Sequence, residues 1–198
     1  ILITNSHHFS KYDTIGNDSR RGMIMALQRL FELGHRRIAL LAGGSMRGGS
    51  SWRFDTIKEF YSKKNMSFPE VLNIHCDMNE SSLASFSKAR SSVRNFLESG
   101  KSVTAIFASN DILAIAALHV ANEKGIKVPK ELSIVGMDGI LLSEITYPTL
   151  TTVEKNRSEI GSLAAETLIQ KINNPFKWQT KKVILPCKLI ERDSTGPI

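Results

Sequence analysis

The sequence predicts an α/β fold, a parallel sheet with helices on both faces, and three observations carry that expectation. Helix-like and strand-like stretches alternate through most of the 198 residues. The strand-like stretches are short and wholly apolar, as at 37–42 (RIALLA), 103–108 (VTAIFA) and 132–136 (LSIVG), the pattern of strands covered on both sides. Capping and stop residues bracket the helix-like stretches, Asp18 before the first and Gly34 after it.

Taken in order, residues 1–5 read as a strand. Residues 19–33 form an amphipathic helix with Met23, Ala26, Leu27, Leu30 and Phe31 on one face. The strand at 37–42 runs into Gly43-Gly44-Ser45 and then a helix from about 52 to 64. A strand at 71–76 and a helix at 82–98 precede the strand at 103–108. The helix at 111–124 stops at Gly125, and 132–136 is again a buried strand. A last long helix spans 157–173, with Ile160, Leu163, Ala164, Leu168 and Ile172 expected to face inward. No internal repeat or low-complexity segment interrupts this order. The irregular stretch 137–156 is where the chain has room to change lobes.

Composition narrows the class of protein. Hydrophobic residues make up 41% and charged residues 23%, the balance of a soluble globular protein. No apolar run reaches the roughly 18–20 residues that a membrane span needs. Ile1-Leu2-Ile3-Thr4 has no basic leader and no small-residue cleavage site, so it does not read as a signal peptide. A chain that opens inside a strand reads as a fragment. Cys76 and Cys187 lie far apart without metal-like spacing, and buried thiols in a reducing cytoplasm are the preferred reading over a disulfide. The net charge of +7 comes from scattered pairs such as Arg20-Arg21 and Lys181-Lys182. No segment is dense enough to be a nucleic-acid arm.

Ligands of open parallel sheets bind outside the carboxyl ends of the strands. That rule directs attention to the loops after Leu41, Cys76, Ala108 and Val135. The loop Gly43-Gly44-Ser45-Met46-Arg47-Gly48-Gly49 fits neither a dinucleotide nor a Walker phosphate cradle, so a strand-to-helix connection is the simpler reading. Arg53 follows it at the start of a helix. Asn110 closes the VTAIFA strand, where a helix cap alone would explain it. Asp138 ends another strand, where a turn residue is the plain alternative. Together, an Arg, an Asn and an Asp at neighbouring strand ends supply donors, a mixed group and an acceptor, a set suited to a polyhydroxylated or heterocyclic ligand. A catalytic reading finds no support. His7, His8, His35, His75 and His119 show no metal spacing, and no serine sits in a nucleophile elbow. No enzyme activity, cofactor or metal is therefore expected.

A resemblance to a known family rests on a series of motifs. Asp18-Ser19-Arg20-Arg21-Gly22 and 30–39 (LFELGHRRIA) resemble the D-N-x-x-G … H-L-x-x-L-G-H-R-R-I-A passage of LacI/GalR regulators. Residues 104–111 (TAIFASND) with Ala114 resemble T-A-I-F-A-x-N-D-x-x-A. Residues 125–129 (GIKVP) and 133–138 (SIVGMD) resemble G-x-x-V-P-x-D-x-S-V-V-G-F-D. Residues 148–153 (PTLTTV) and 189–195 (LIERDST) resemble P-P-L-T-T-V and L-V-x-R-x-S-T. The matches run in family order from one end of the chain to the other.

The resemblance implies a two-lobed, periplasmic-binding-protein-like type I domain of doubly wound lobes with parallel sheets, the N-terminal lobe incomplete here. It further implies that the helix-turn-helix, the hinge helix and the first half of that lobe are missing. Residues 1–17 and 141–179 would be the remainder of the N-terminal lobe, and 18–140 with 180–198 the C-terminal lobe. Arg53, Asn110 and Asp138 fall on effector-contacting positions. Asn5 matches, less securely, a polar position on the opposite wall, and Met78 stands where many members place a stacking aromatic. Thr56 and Gly139 replace a usual Gly and a usual Asp or Asn, departures that suggest an unusual effector or relaxed recognition on one side. The function implied is that of a cytoplasmic repressor's sensing and dimerising domain, which binds a sugar, sugar phosphate or nucleobase-like effector and meets operator DNA only through the missing headpiece. The alternative is a periplasmic sugar-binding protein that serves a transporter.

One assembly expectation follows from residues 111–121 (DILAIAALHVA), apolar nearly all round. A helix on one sheet face needs a single apolar stripe, so something must bury the second. In the family this segment lies in a dimer interface, which assigns Ile112, Leu113, Ala116, Ala117 and Val120 to contact with a second copy. The alternative is that this chain's own neighbouring helix or its C-terminal tail covers them.

Overall fold

The structure, a computed structural model, describes residues 1–4, 11–43, 51–67, 70–74 and 81–198. Its larger unit is a six-stranded sheet in the order β4-β3-β5-β6-β7-β9. These strands are β3 (Ile38–Gly43), β4 (Glu70–Ile74), β5 (Ala105–Ala108), β6 (Ser133–Asp138), β7 (Thr151–Glu154) and β9 (Lys188–Ile190). All neighbours are parallel except β9, which runs antiparallel along β7. A three-stranded parallel sheet is built from β1 (Leu2–Ile3), β2 (Thr14–Asn17) and β8 (Lys182–Leu185), in the order β1-β2-β8.

Strand alternation sorts the core of the larger unit into two layers. Ala39, Leu41, Ile106, Ala108 and Ile134 face α3 (Ser82–Glu98) and α4 (Asp111–Glu123). Leu40, Ala42, Phe107, Val135 and Met137 face α1 (Ser19–Glu32) and α2 (Ser51–Lys63). The sheet is therefore buried on both faces, which explains why its strands carry no polar alternation. Asp18 caps α1 by accepting the Arg21 N–H at 2.9 Å, and Gly34 takes φ +94° just past its end, the left-handed stop that favours glycine.

The three-stranded sheet is covered differently. Its helix, α6 (Arg157–Asn173), buries only Ile160 and Thr167. Leu168 and Ile172 are 49% and 66% exposed, so the expectation that they face inward is not met. The three strands span too little surface to cover a five-turn helix. What holds this part together is a polar staple. The buried Asp13 accepts from Lys171 Nζ (2.8 Å), Trp178 Nε1 (2.9 Å) and the Lys181 N–H (2.8 Å).

The division of the chain between sheets also differs from the expected one. β7 lies within 141–179 yet joins the six-stranded sheet, and β8 lies within 180–198 yet joins the smaller one. The reason is local. Thr151 and Thr152 are wholly buried because their hydroxyls are satisfied inside, Thr151 by Arg192 and Thr195 and Thr152 by Asp111. A short β-branched segment with polar tips thus becomes an interior strand. The chain passes between sheets at 17–19, 154–157 and 185–188, and the first and last of these are tied by Asp18 N–H to Leu185 O at 2.8 Å.

Helix α4 is sandwiched between the sheet and α3. Leu113, Ala116, Ala117 and Val120 are 0% exposed within this single chain and belong to its own core with Ala89, Val93 and Phe96 of α3. This corrects their assignment to a dimer interface: the second apolar stripe is covered by α3, and the small alanines let that helix approach. Ile112 alone of the five stays half-buried. Apolar side chains do reach the surface nearby. Leu141, Ile145 and Tyr147 are 73%, 71% and 99% exposed, in and beside the short α5 (Leu142–Ile145), which packs against α4.

Candidate functional site

The carboxyl ends of β3, β5, β6 and β7 lie side by side on one edge of the sheet, and polar or charged residues stand at or beyond each of them. Arg53 comes from the first turn of α2, after β3, and its guanidinium stacks 4.7 Å from the centre of the Trp52 ring. Burial pushes the guanidinium below its ordinary pKa, while the negative charge of Asp138 pulls it back up. Arg53 and Asp138 therefore share one electrostatic environment. Asn110 follows β5 and caps α4, its Oδ1 accepting the Leu113 N–H at 2.9 Å. Its amide nitrogen makes no hydrogen bond among the described residues, so one end of Asn110 is structural and the other is free.

Asp138 ends β6 with φ +128°, a conformation that costs a non-glycine residue about 1–3 kcal/mol and is held by what surrounds it. Asp111 supplies much of that hold. It is 0% exposed, and its carboxylate accepts from Thr152 Oγ1 (2.5 Å) and from the Ile140 N–H (2.8 Å). Burial raises the Asp111 carboxyl, and the hydrogen bonds from Thr152 and Ile140 oppose that rise. Gly136 lacks the side chain that would strike Asp111, and at Gly139, with φ +65°, an added Cβ would meet the Glu154 backbone at 2.8 Å. The backbone after β6 is thus pinned from three sides. That pinning fixes where the Asp138 carboxylate points.

Two cations complete the edge, and neither was singled out from the sequence. Lys155, one residue beyond β7, donates to Asp138 Oδ1 at 2.6 Å with side chains 17% and 27% exposed. Arg157 donates to the Gly139 carbonyl at 2.9 Å. Lys155 also lines an open pocket of about 550 Å³ with Gly139, Glu154, Asn156, Arg157, Ser158 and Glu159, so two carboxylates and two cations face it. The signal that would have found Lys155 is the strand-end rule itself, had Thr151–Glu154 been read as a strand. Asn5, Met78, Cys76 and most of the glycine-rich loop lie outside the described residues. Cys187 is a free thiol. Burial raises it, in the field of Lys155, Asp18 and Asp138. Among the described residues no cluster of three His, Cys, Asp or Glu could hold a metal ion, and no helix is long and apolar enough to cross a membrane.

A two-sheet α/β chain with three crossings and polar residues gathered at the strand ends defines a binding domain of the periplasmic-binding-protein type. The family described as "periplasmic binding protein-like domain" matches residues 27–195, and the chain belongs to it, in the form found in LacI-family regulators. It is 32% identical over 207 aligned residues to the HTH-type transcriptional regulator DegA of Bacillus subtilis, covering 100% of this chain and 56% of that protein. It is 30% identical to the ribose operon repressor of Haemophilus influenzae, covering 90% of this chain and 52% of the relative. A solved LacI family transcriptional regulator from Enterococcus faecium with bound ribose superposes with a TM-score of 0.82 at 26% identity, over 98% of this chain and 68% of that one. The chain spans about half the length of the curated relatives it matches.

Proposed function

We propose that this chain is the effector-sensing region of a transcription repressor and that a small polyhydroxylated metabolite binds at the ends of β3, β5, β6 and β7. The observation that carries the reading is the placement of Arg53, Asn110 and Asp138 at three of those four adjacent strand ends, with Arg53 and Asp138 sharing one field. A half-buried guanidinium, a half-free amide and a carboxylate recognise hydroxyls and ring oxygens by charge-assisted hydrogen bonds. Asn5 is proposed for the facing wall, and Met78 for the position of a stacking side chain. Relatives that are regulators favour this reading over a transporter's binding protein, and a regulator that meets DNA works in the cytoplasm. Operator contact is assigned to a headpiece outside this chain.

Calorimetric titration against sugars, sugar phosphates and nucleosides tests the reading. One of them binds, and Arg53→Ala weakens it about tenfold or more with the unfolding midpoint unchanged. Failure of every ligand, or an Arg53→Ala variant that binds as wild type does, overturns it. Assembly as a two-fold dimer belongs to the same proposal, now through the exposed Leu141, Ile145 and Tyr147 rather than the buried face of α4. Sedimentation of wild type and of Tyr147→Glu checks this, since only loss of the dimer in the variant is consistent with that face.

A further inference from the structure

The proposed site has an internal counter-ion. Lys155 sits on the segment that crosses from one sheet to the other and closes onto Asp138 Oδ1 at 2.6 Å, in a half-buried ion pair. A carboxylate in a sugar cleft ordinarily serves as the strong acceptor for neutral hydroxyls and repels anions. Here that acceptor is partly taken and its charge compensated. The other carboxylates at this edge do not replace it. Asp111 is wholly buried and engaged by Thr152 and Ile140, Glu159 accepts from Asn156 at 3.2 Å, and Glu154 and Glu159 face Lys155 and Arg157 across the same pocket.

Arg53 is in the opposite situation. Its guanidinium is half-buried and stacked on Trp52, and it makes no ion pair among the described residues. Asp138 acts on it through space but is itself paired with Lys155, and a planar guanidinium receives a phosphate or carboxylate through two parallel hydrogen bonds. Arg157, anchored on the Gly139 carbonyl at 2.9 Å, adds positive charge to the same edge.

We infer that the ligand of this cleft carries an anionic group, a phosphate or a carboxylate on a small polyol, and that Lys155 is the residue that selects for it. The inference rests on the proposed effector site and specifies its ligand class. Lys155 masks Asp138, so an anion meets Arg53 without opposition, while a neutral sugar lacks its best acceptor.

The test is calorimetric titration of wild type and Lys155→Gln with ribose, ribose 5-phosphate, glucose, glucose 6-phosphate, gluconate and inorganic phosphate. In wild type at least one charged ligand binds about tenfold or more tighter than its neutral parent, and its affinity falls as salt rises. In Lys155→Gln the preference narrows about tenfold, because Asp138 is unmasked and a cation is lost. Whether the phosphates or gluconate win distinguishes the two anionic groups. A neutral parent that binds as tightly as the charged form, a preference unchanged in the variant, or inorganic phosphate binding as well as the sugar phosphates overturns the inference and leaves the sensing role intact. No binding by any of the six also overturns the inference, while the sensing role is decided by the wider panel of sugars, sugar phosphates and nucleosides. A urea midpoint for the variant verifies that it is folded, and the wild-type comparison decides the ligand class on its own.

Discussion

The six-stranded and three-stranded sheets arise from the same alternation of strand and helix, yet burial is achieved differently in each. In the larger sheet both faces are covered, and its central strands hold Phe107, Ile106, Leu41 and Ile134 at 0% exposure. In the smaller one Ile3, Ile172 and Phe176 are 65%, 66% and 100% exposed, and the order of the chain there relies on the carboxylate of Asp13. Apolar periodicity in a sequence states what a segment can bury. Whether it does depends on how much partner surface the fold supplies.

Truncating a core residue in the larger sheet breaks the comparison most directly. Phe107 is 0% exposed on β5, between α1 and α2. Phe107→Ala loses about 3–5 kcal/mol, the range for deleting a fully buried ring, read as a fall in the urea midpoint. A loss under 1 kcal/mol would mean that this core is loosely packed.

The smaller sheet's counterpart is electrostatic. Burial alone would raise the Asp13 carboxyl, but hydrogen bonds from Lys171, the Lys181 N–H and Trp178 outweigh it and bring the pKa to about 2. The folded value lies below the ordinary 3.8, so the stabilisation is present above pH 3.8 and is lost as pH falls toward 2. The shift corresponds to about 2 kcal/mol at neutral pH. Asp13→Asn is expected to lose about that much at pH 7 and to converge with wild type near pH 2, in chemical denaturation across pH.

Acid acts on the larger unit at a higher pH. His35 is buried, with Nε2 at 2.9 Å from Ser133 Oγ and 3.0 Å from the Gly196 carbonyl, where it fastens the C-terminal tail to β6. Burial lowers its pKa from the ordinary 6.5, the Gly196 carbonyl opposes this, and the Arg36 charge adds to the lowering. Protonation is thus easier in the unfolded chain, so this stabilisation is complete above pH 6.5 and declines below it. His35→Gln loses about 1 kcal/mol at pH 8 and flattens the decline. A stability profile level from pH 8 to pH 5 in wild type would exclude this role for His35.

The sequence disclosed the larger sheet better than the smaller one for the same physical reason. Wholly apolar strands and Asp18, Gly34 and Gly125 as helix stops mark elements whose burial is complete. Thr151–Glu154 and Lys182–Leu185 were not legible as strands, because their polar atoms are satisfied by partners over 40 residues away, such as Arg192 for Thr151. The candidate site divided likewise. Arg53, Asn110 and Asp138 follow strands that declare themselves, whereas Lys155 follows one that does not. The interface expected on α4 failed because a single sequence does not say which helix covers which stripe.

The smallest expected effect lies on the exposed side of α6 and in the turn at 175–177 just beyond it. Ile172 and Phe176 contribute large apolar surfaces to solvent at 66% and 100% exposure, and neither packs in the two core clusters. Removing them creates no cavity and leaves no polar group unpaired, so no mechanism of large destabilisation applies. An Ile172→Lys, Phe176→Ser double variant of this chain should shift unfolding by no more than about 0.5 kcal/mol, against several for Phe107→Ala. Apolar patches left in water promote association, so the same variant should remain dispersed at concentrations where wild type scatters light. A destabilisation above about 1 kcal/mol would mean that this face is covered by something in solution, and the contrast between the two sheets would then belong to one arrangement of the chain rather than to its folded state.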